Sequence, residues 1–200
     1  MIAIVDYNLG NVGSIYNMLK KIGKDAIITS NPQEIKAASK IILPGVGSFD
    51  NGMENLKKFN LVDILNETVL EQKKPILGIC LGMQLMTLKS EEGVEEGLSW
   101  LPLKIKHFKN VEGFTGTIPI MGWNYVMPSK TNRLLENHDS RFYFVHAYHC
   151  ETNEFQIIEA KINGYKYCAA IQKDNIFGVQ FHPEKSHKFG LDLLTSFCNY

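Results

Sequence analysis

A cysteine framed by glycines is the most reactive-looking feature of this chain. In Pro75-Ile76-Leu77-Gly78-Ile79-Cys80-Leu81-Gly82-Met83-Gln84 an apolar run leads into the thiol, and a helix-forming run, Met83 to Lys89, follows it. G-x-C-x-G is the thiol counterpart of a nucleophile elbow, a sharp strand-to-helix turn that lifts one side chain out of the backbone. Such a turn crowds the main chain, and residues without a Cβ relieve the clash. The N-terminus of the following helix favours the thiolate, which is the attacking species. A free cysteine without such a frame is ordinarily a small buried hydrophobe. Cys150, Cys168 and Cys198 lack the frame and read as core or surface thiols.

A nucleophilic thiol needs a base, and the base needs an orienting group. Of His107, His138, His146, His149, His182 and His187, only His182 follows an apolar strand and precedes a proline, in His182-Pro183-Glu184. Pro183 pushes residue 182 toward extended backbone. In an extended stretch residues 182 and 184 project to the same side, so Glu184 can hold the imidazole in one tautomer. Leu43-Pro44-Gly45-Val46-Gly47-Ser48, at another strand end, can turn backbone N–H groups toward a developing oxyanion. The same glycines also suit a phosphate cradle, although the full G-x-G-x-x-G and a Walker lysine are absent. His146, His149 and Cys150 suggest zinc, but 146 and 149 face opposite ways in a strand and no second ligand pair follows, so no metal is expected.

These groups must be held by alternating elements. Ile2 to Val5, Ile41 to Leu43 and Ile76 to Ile79 are compact apolar blocks, as in strands buried on both faces of a parallel sheet. Asn11 predicts an N-cap for a helix with Val12, Ile15, Leu19 and Ile22 on one face, stopped by Gly23. A second helix carries Leu61, Ile64, Leu65, Thr68 and Val69. After about Ser90 the texture changes. Gly93 to Pro102 reads as a loop, and β-rich runs follow at Tyr125 to Met127, Phe142 to Val145, Gln156 to Ile162, Tyr165 to Ile171 and Ile176 to Phe181. Asn163-Gly164 predicts a two-residue hairpin, and Phe189 to Phe197 a closing helix. Antiparallel strands added to a doubly wound α/β sheet account for the order.

The 200 residues contain 21 basic and 21 acidic side chains and are 44% hydrophobic. This composition predicts one globular domain spanning 1–200, with a real core. A net charge of zero argues against polyanionic partners and is compatible with docking to another protein. The dispersed cysteines, the early Asp6 and the lack of any run of about 20 apolar residues predict a soluble cytoplasmic protein.

With these motifs in place, the chain resembles the class I (triad) glutamine amidotransferases. Gly78-Ile79-Cys80-Leu81-Gly82-Met83-Gln84 and the distant His182-Pro183-Glu184 match that family. Asp6 to Ser14, Leu43 to Phe49, Pro119 to Asn124, Phe144 to Tyr148 and Phe181 to Ser186 are similar to segments of the glutaminase subunits of imidazole glycerol phosphate synthases. The resemblance implies a flavodoxin-like α/β fold, with a mostly parallel sheet flanked by helices and antiparallel strands in the second half. It implies a Cys80, His182, Glu184 triad that hydrolyses L-glutamine through a thioester, without a cofactor. Leu81 and Val46 would supply the oxyanion hole, while Gly47, Gln84, Ala147 and Tyr148 would contact glutamine. Ammonia would pass to a (βα)₈-barrel cyclase partner, with Trp123, Asn124 and Lys185 near the interface. From composition alone, Trp123 and Asn124 read as a packed turn and Lys185 as a solvated charge. The chain departs from the family pattern at Ile120, where histidine is usual, and at Ala147 and His149. Those departures keep open a related subunit that feeds ammonia to a sugar amidating enzyme. Two other classes compete with both: a noncatalytic flavodoxin-like binding module and a free-standing thiol hydrolase.

Overall fold

The computed structural model describes residues 1–135 and 140–200, so His138 lies outside the described residues. The three apolar blocks form β1 (Ile2–Val5), β3 (Lys40–Leu43) and β4 (Ile76–Ile79), with β2 (Ala26–Thr29) beside β1. Every residue of β1 and β4 is buried, which is why neither carries a polar residue. Alternate residues of β1 enter different cores: Ile2 and Ile4 join one apolar cluster, Ala3 and Val5 another. The sheet is therefore covered on both faces.

Helices α1 (Val12–Lys21), α2 (Pro32–Ala37), α3 (Phe49–Lys58) and α4 (Val62–Asn66) connect the parallel strands. Asn11 caps α1 by accepting the Ser14 N–H at 3.4 Å, and Gly23 leaves it at φ 70°. Leu61, Ile64, Leu65, Thr68 and Val69 are all buried, but α4 gives way to a π-helical turn at Glu67–Glu71. Within it the Thr68 hydroxyl donates to the Ile64 carbonyl at 2.7 Å.

The helix after Cys80, α5 (Leu81–Leu85), is shorter than the expected run to Lys89. The Thr87 hydroxyl donates to the Gln84 carbonyl at 2.7 Å, and the Leu88 N–H goes to Leu103. Those bonds divert the chain into β5 (Lys89–Ser90), parallel to β6 (Lys104–His107). A five-residue helix brings free N–H groups to Cys80 but little summed dipole.

The β-rich half forms β7 (Ile120–Pro128), β8 (Ser140–His146), β9 (Tyr148–Cys150), β10 (Gln156–Ile162), β11 (Tyr165–Lys173) and β12 (Ile176–Val179), closed by α6 (His187–Cys198). Asn163 and Gly164, at φ 45° and 89°, make the hairpin between β10 and β11. The main path through the sheet runs β2-β1-β3-β4-β12-β11-β10-β7-β8. Pairing is parallel from β2 to β12 and antiparallel from β12 to β8. The result is an α/β fold with one mixed sheet, its antiparallel strands added in the second half as expected. Among the described residues, no helix is long and apolar enough to cross a membrane.

Candidate active site

β4 and β12 lie side by side with Ile79 opposite Val179, so the residues leaving their carboxyl ends emerge together. The Cys80 N–H donates to the Val179 carbonyl at 2.7 Å, and its carbonyl accepts from Gln84 at 3.2 Å. Between these bonds Cys80 is held at φ 53°, ψ −108°, backbone that a side-chain-bearing residue rarely adopts. The flanking glycines are required sterically. A Cβ on Gly78 would lie 2.7 Å from the Met83 nitrogen, and one on Gly82 would run into the Leu43 carbonyl oxygen.

His182 and Glu184 meet as expected, with Nδ1 to Oε1 at 2.7 Å and both side chains at most 2% exposed. The local geometry differs from a continuous extended stretch. Only His182 is extended, and Pro183–Lys185 forms a 3₁₀ turn. Proline's fixed φ suits the first position of such a turn. The outermost strand reaches over this segment: Tyr143 of β8 accepts the His182 N–H at 2.9 Å, and the Ser186 hydroxyl donates to the His182 carbonyl at 2.6 Å. Burial opposes a charge on His182, but Cys80 and Glu184 outweigh it and lift the pKa to about 10. Among the described residues its Nε2 has no aligned hydrogen-bond partner, so the Cys80 sulfur is an electrostatic neighbour outside aligned hydrogen-bond geometry. Such contacts are commonly long before substrate binds.

Cys80 and His182 line a cavity of about 220 Å³ with Val46, Gly47, Leu81, Gln84, Ala147 and Tyr148. Every residue expected for the oxyanion hole and for glutamine thus shares one space with the thiol. The Pro44 to Gly47 segment is held from below by Tyr7, whose hydroxyl donates to the Pro44 carbonyl at 2.6 Å. Burial, then the Cys80 charge, raises the Tyr7 pKa, so the phenol stays a donor.

The cavity also holds residues that no motif marked. Glu92 lines it, accepts the Phe49 N–H at 2.9 Å, and has its pKa raised by burial. Its twin Glu91 instead accepts from His107, a choice that nothing local encodes. His146 also lines the cavity; its ring meets the Tyr148 carbonyl at 2.7 Å, and burial takes its pKa down to about 3, keeping it neutral. His149 is elsewhere, on β9, stacked on Phe108 at 4.0 Å. Gln180, buried between β12 and His182, places Nε2 3.6 Å from Cys80 Sγ. Strand period two, counted back from His182, could have found it.

Trp123 and Asn124 lie in β7 and not in a turn. Met121, Trp123, Tyr125 and Met127 alternate along the exposed face, with Trp123 stacked on His187 at 5.7 Å. Lys185 joins this surface by placing its ammonium 5.6 Å from the Tyr143 ring, which Trp123 also contacts. Asn124 does not share the face, because neighbouring strand residues point oppositely; its amide donates to the Lys161 carbonyl at 3.0 Å.

Comparison with known proteins agrees with this fold. Residues 3–198 match the family described as glutamine amidotransferase class-I. The chain is 54% identical over 201 residues to imidazole glycerol phosphate synthase subunit HisH 2 of Methanococcus maripaludis, covering 98% of each. It is 46% identical to the subunit HisH 2 of Pseudomonas aeruginosa, again covering 98% of each. A crystal structure of a glutamine amidotransferase superposes with a TM-score of 0.78 at 15% identity, covering 100% of this chain and 98% of that one.

Proposed function

The chain belongs to the class-I glutamine amidotransferase family, and from that premise we propose that it frees ammonia from L-glutamine through a Cys80 thioester and delivers it to a partner synthase subunit. Residues 1–200 act as one catalytic domain. What carries this reading is the convergence, in one cavity, of a thiol on strained backbone, a buried His182–Glu184 pair and the Pro44 to Gly47 strand end.

The chemistry follows from the positions. With the Cys80 proton on His182, the thiolate attacks the carboxamide carbon, and the carbonyl electrons move to oxygen. The Leu81 N–H, which needs no helical partner, and the Val46 N–H receive that oxyanion. The imidazolium protonates the departing nitrogen, ammonia leaves, and a glutamyl thioester remains on Cys80. Water then gives a proton to His182, attacks the thioester and releases glutamate, returning the proton balance to its start. Glu184 keeps Nδ1 protonated, so that Nε2 does the proton transfer. Gly47, Gln84 and the Ala147-Tyr148 backbone hold the substrate, and the Glu92 carboxylate suits its α-ammonium group.

The acceptor in this proposal is the (βα)₈-barrel cyclase that the sequence resemblance implies, a reading supported by relatives named as subunits of imidazole glycerol phosphate synthase. Trp123 and Lys185 would dock it, on a surface that begins three residues from His182. Asn124 would act from the other face of β7. A subunit serving a sugar amidating enzyme is the second reading, favoured by Ile120, which sits opposite His146 and offers it no polar partner.

The test is reconstitution with the barrel cyclase. Cys80→Ala should abolish glutamine-driven synthesis and leave ammonium-driven synthesis intact. Retained glutamine use would refute the thioester mechanism. Wild-type protein that fails to support the cyclase, and fails to complement a histidine auxotroph lacking this subunit, would move the assignment to the sugar acceptor.

A further inference from the structure

The Cys80 sulfur has a neighbour that the triad does not use. Gln180 is fully buried, its backbone N–H is bonded to the Ala169 carbonyl at 2.8 Å, and its side-chain Nε2 lies 3.6 Å from Cys80 Sγ. A chain of donors and acceptors determines which end of this amide meets the sulfur. The Tyr148 carbonyl can only accept, so Gln84 must turn its Nε2 toward it, at 3.3 Å. The other hydrogen of that nitrogen reaches Gln180 at 3.0 Å, so Gln180 must present its oxygen there. Its nitrogen is thereby directed at the thiol.

We propose that Gln180 is a further catalytic residue, whose Nε2–H donates to the Cys80 thiolate, with Gln84 as the positioning residue that sets the sense of the amide. This rests on the reading of Cys80 as nucleophile. An anion in a buried pocket needs hydrogen-bond donors, and among the described residues His182 Nε2 makes no aligned hydrogen bond to the sulfur. An amide cannot transfer its proton. It holds the sulfur charge while the thiolate waits and releases it as the S–C bond forms and the charge moves to the carbonyl oxygen. When the thioester is cleaved and sulfur leaves as thiolate, the same N–H receives it again. The pocket that would bind glutamine and the donor that steadies its attacker are thus joined through Gln84 and the Tyr148 carbonyl.

The test is the pH dependence of Cys80 alkylation by iodoacetamide in the full chain, read at that residue by peptide mass spectrometry. Gln180→Leu and Gln180→Met remove the donor at similar volume, and Gln84→Met frees the amide to rotate. The other titratable groups around the sulfur, His182, Glu184, Tyr7, His146, Tyr148 and Glu92, are unchanged in all three. Losing a hydrogen bond to an anion should raise the midpoint by about one pH unit in either Gln180 variant, slowing alkylation about tenfold at pH values below both midpoints. Gln84→Met should give a smaller rise. The limiting rate at high pH should remain within about threefold of wild type, because a less stabilised thiolate is no poorer a nucleophile. A purely structural amide would lower the melting temperature and leave the midpoint in place. Wild-type labelling with midpoints unmoved in whichever variants fold would overturn the proposal alone. Absence of any label on wild-type Cys80 would overturn the nucleophile reading, and this proposal with it.

Discussion

Replacing Glu184 by glutamine removes one charge and almost no volume. His182 Nδ1 donates to Glu184 Oε1 at 2.7 Å, and among the described residues Glu184 Oε2 has no hydrogen-bond partner, so the carboxylate serves the imidazole. A buried charge-assisted hydrogen bond exceeds its neutral counterpart by roughly 1–2 kcal/mol, or about five- to thirtyfold in rate. If the new carboxamide turns its NH₂ toward Nδ1, it also selects the wrong tautomer, for which triads lose up to about 10⁴-fold. Glutamate release with the partner present should therefore show kcat/KM lower by about 5- to 10⁴-fold, with most of the loss in kcat. Stability supplies a second readout. The pKa of His182 is raised in the fold to about 10, and burial alone would lower it, so Cys80 and Glu184 cause the rise. Stability from a raised pKa is fully present below the unfolded value, about 6.5, and is lost as pH climbs through the folded value. Wild type should therefore melt several degrees above the variant near neutral pH, and the gap should close toward about pH 10.5. A kcat/KM within about threefold of wild type, or a melting gap that ignores pH across this window, would refute the assigned role of the pair.

Two further substitutions probe the scaffold and the surface. Gly82→Ala forces a Cβ into the Leu43 carbonyl, and because both are backbone-fixed it should cost at least about 3 kcal/mol in urea unfolding and disturb the elbow; an unshifted midpoint would mean that the turn relaxes freely. Trp123, 43% exposed at the centre of the β7 stripe, should carry much of the partner affinity. Trp123→Ala is expected to weaken association with the cyclase on the order of 30-fold by titration calorimetry, and equal affinity would place the interface elsewhere.

Local rules made much of this protein legible. The apolar blocks could only be buried strands, Asn11 and Gly23 bracketed α1, and Asn163-Gly164 specified its hairpin, because each depends on neighbours within a few residues. The elbow was legible in part for the same reason: Gly78 is demanded by contacts that the turn itself creates, and His182-Pro183-Glu184 joins an imidazole and its carboxylate partner within three residues, whereas Gly82 is demanded by the distant Leu43 carbonyl. Local pattern could not show that the helix after Cys80 stops at Leu85, since the bond that diverts it comes from Leu103. Nor could it separate Trp123 from Asn124, which a single strand turns to opposite faces. Which histidine meets the thiol was settled by the parallel pairing of β4 with β12, two strands a hundred residues apart that bring Ile79 opposite Val179. That register also sets Gln180 beside Cys80, and the fold over β8 and β9 delivers the Tyr148 carbonyl that orients it through Gln84. Residue types and short spacings therefore determined which chemistry was available, whereas long-range sheet register, which no local propensity encodes, decided which groups share the cavity.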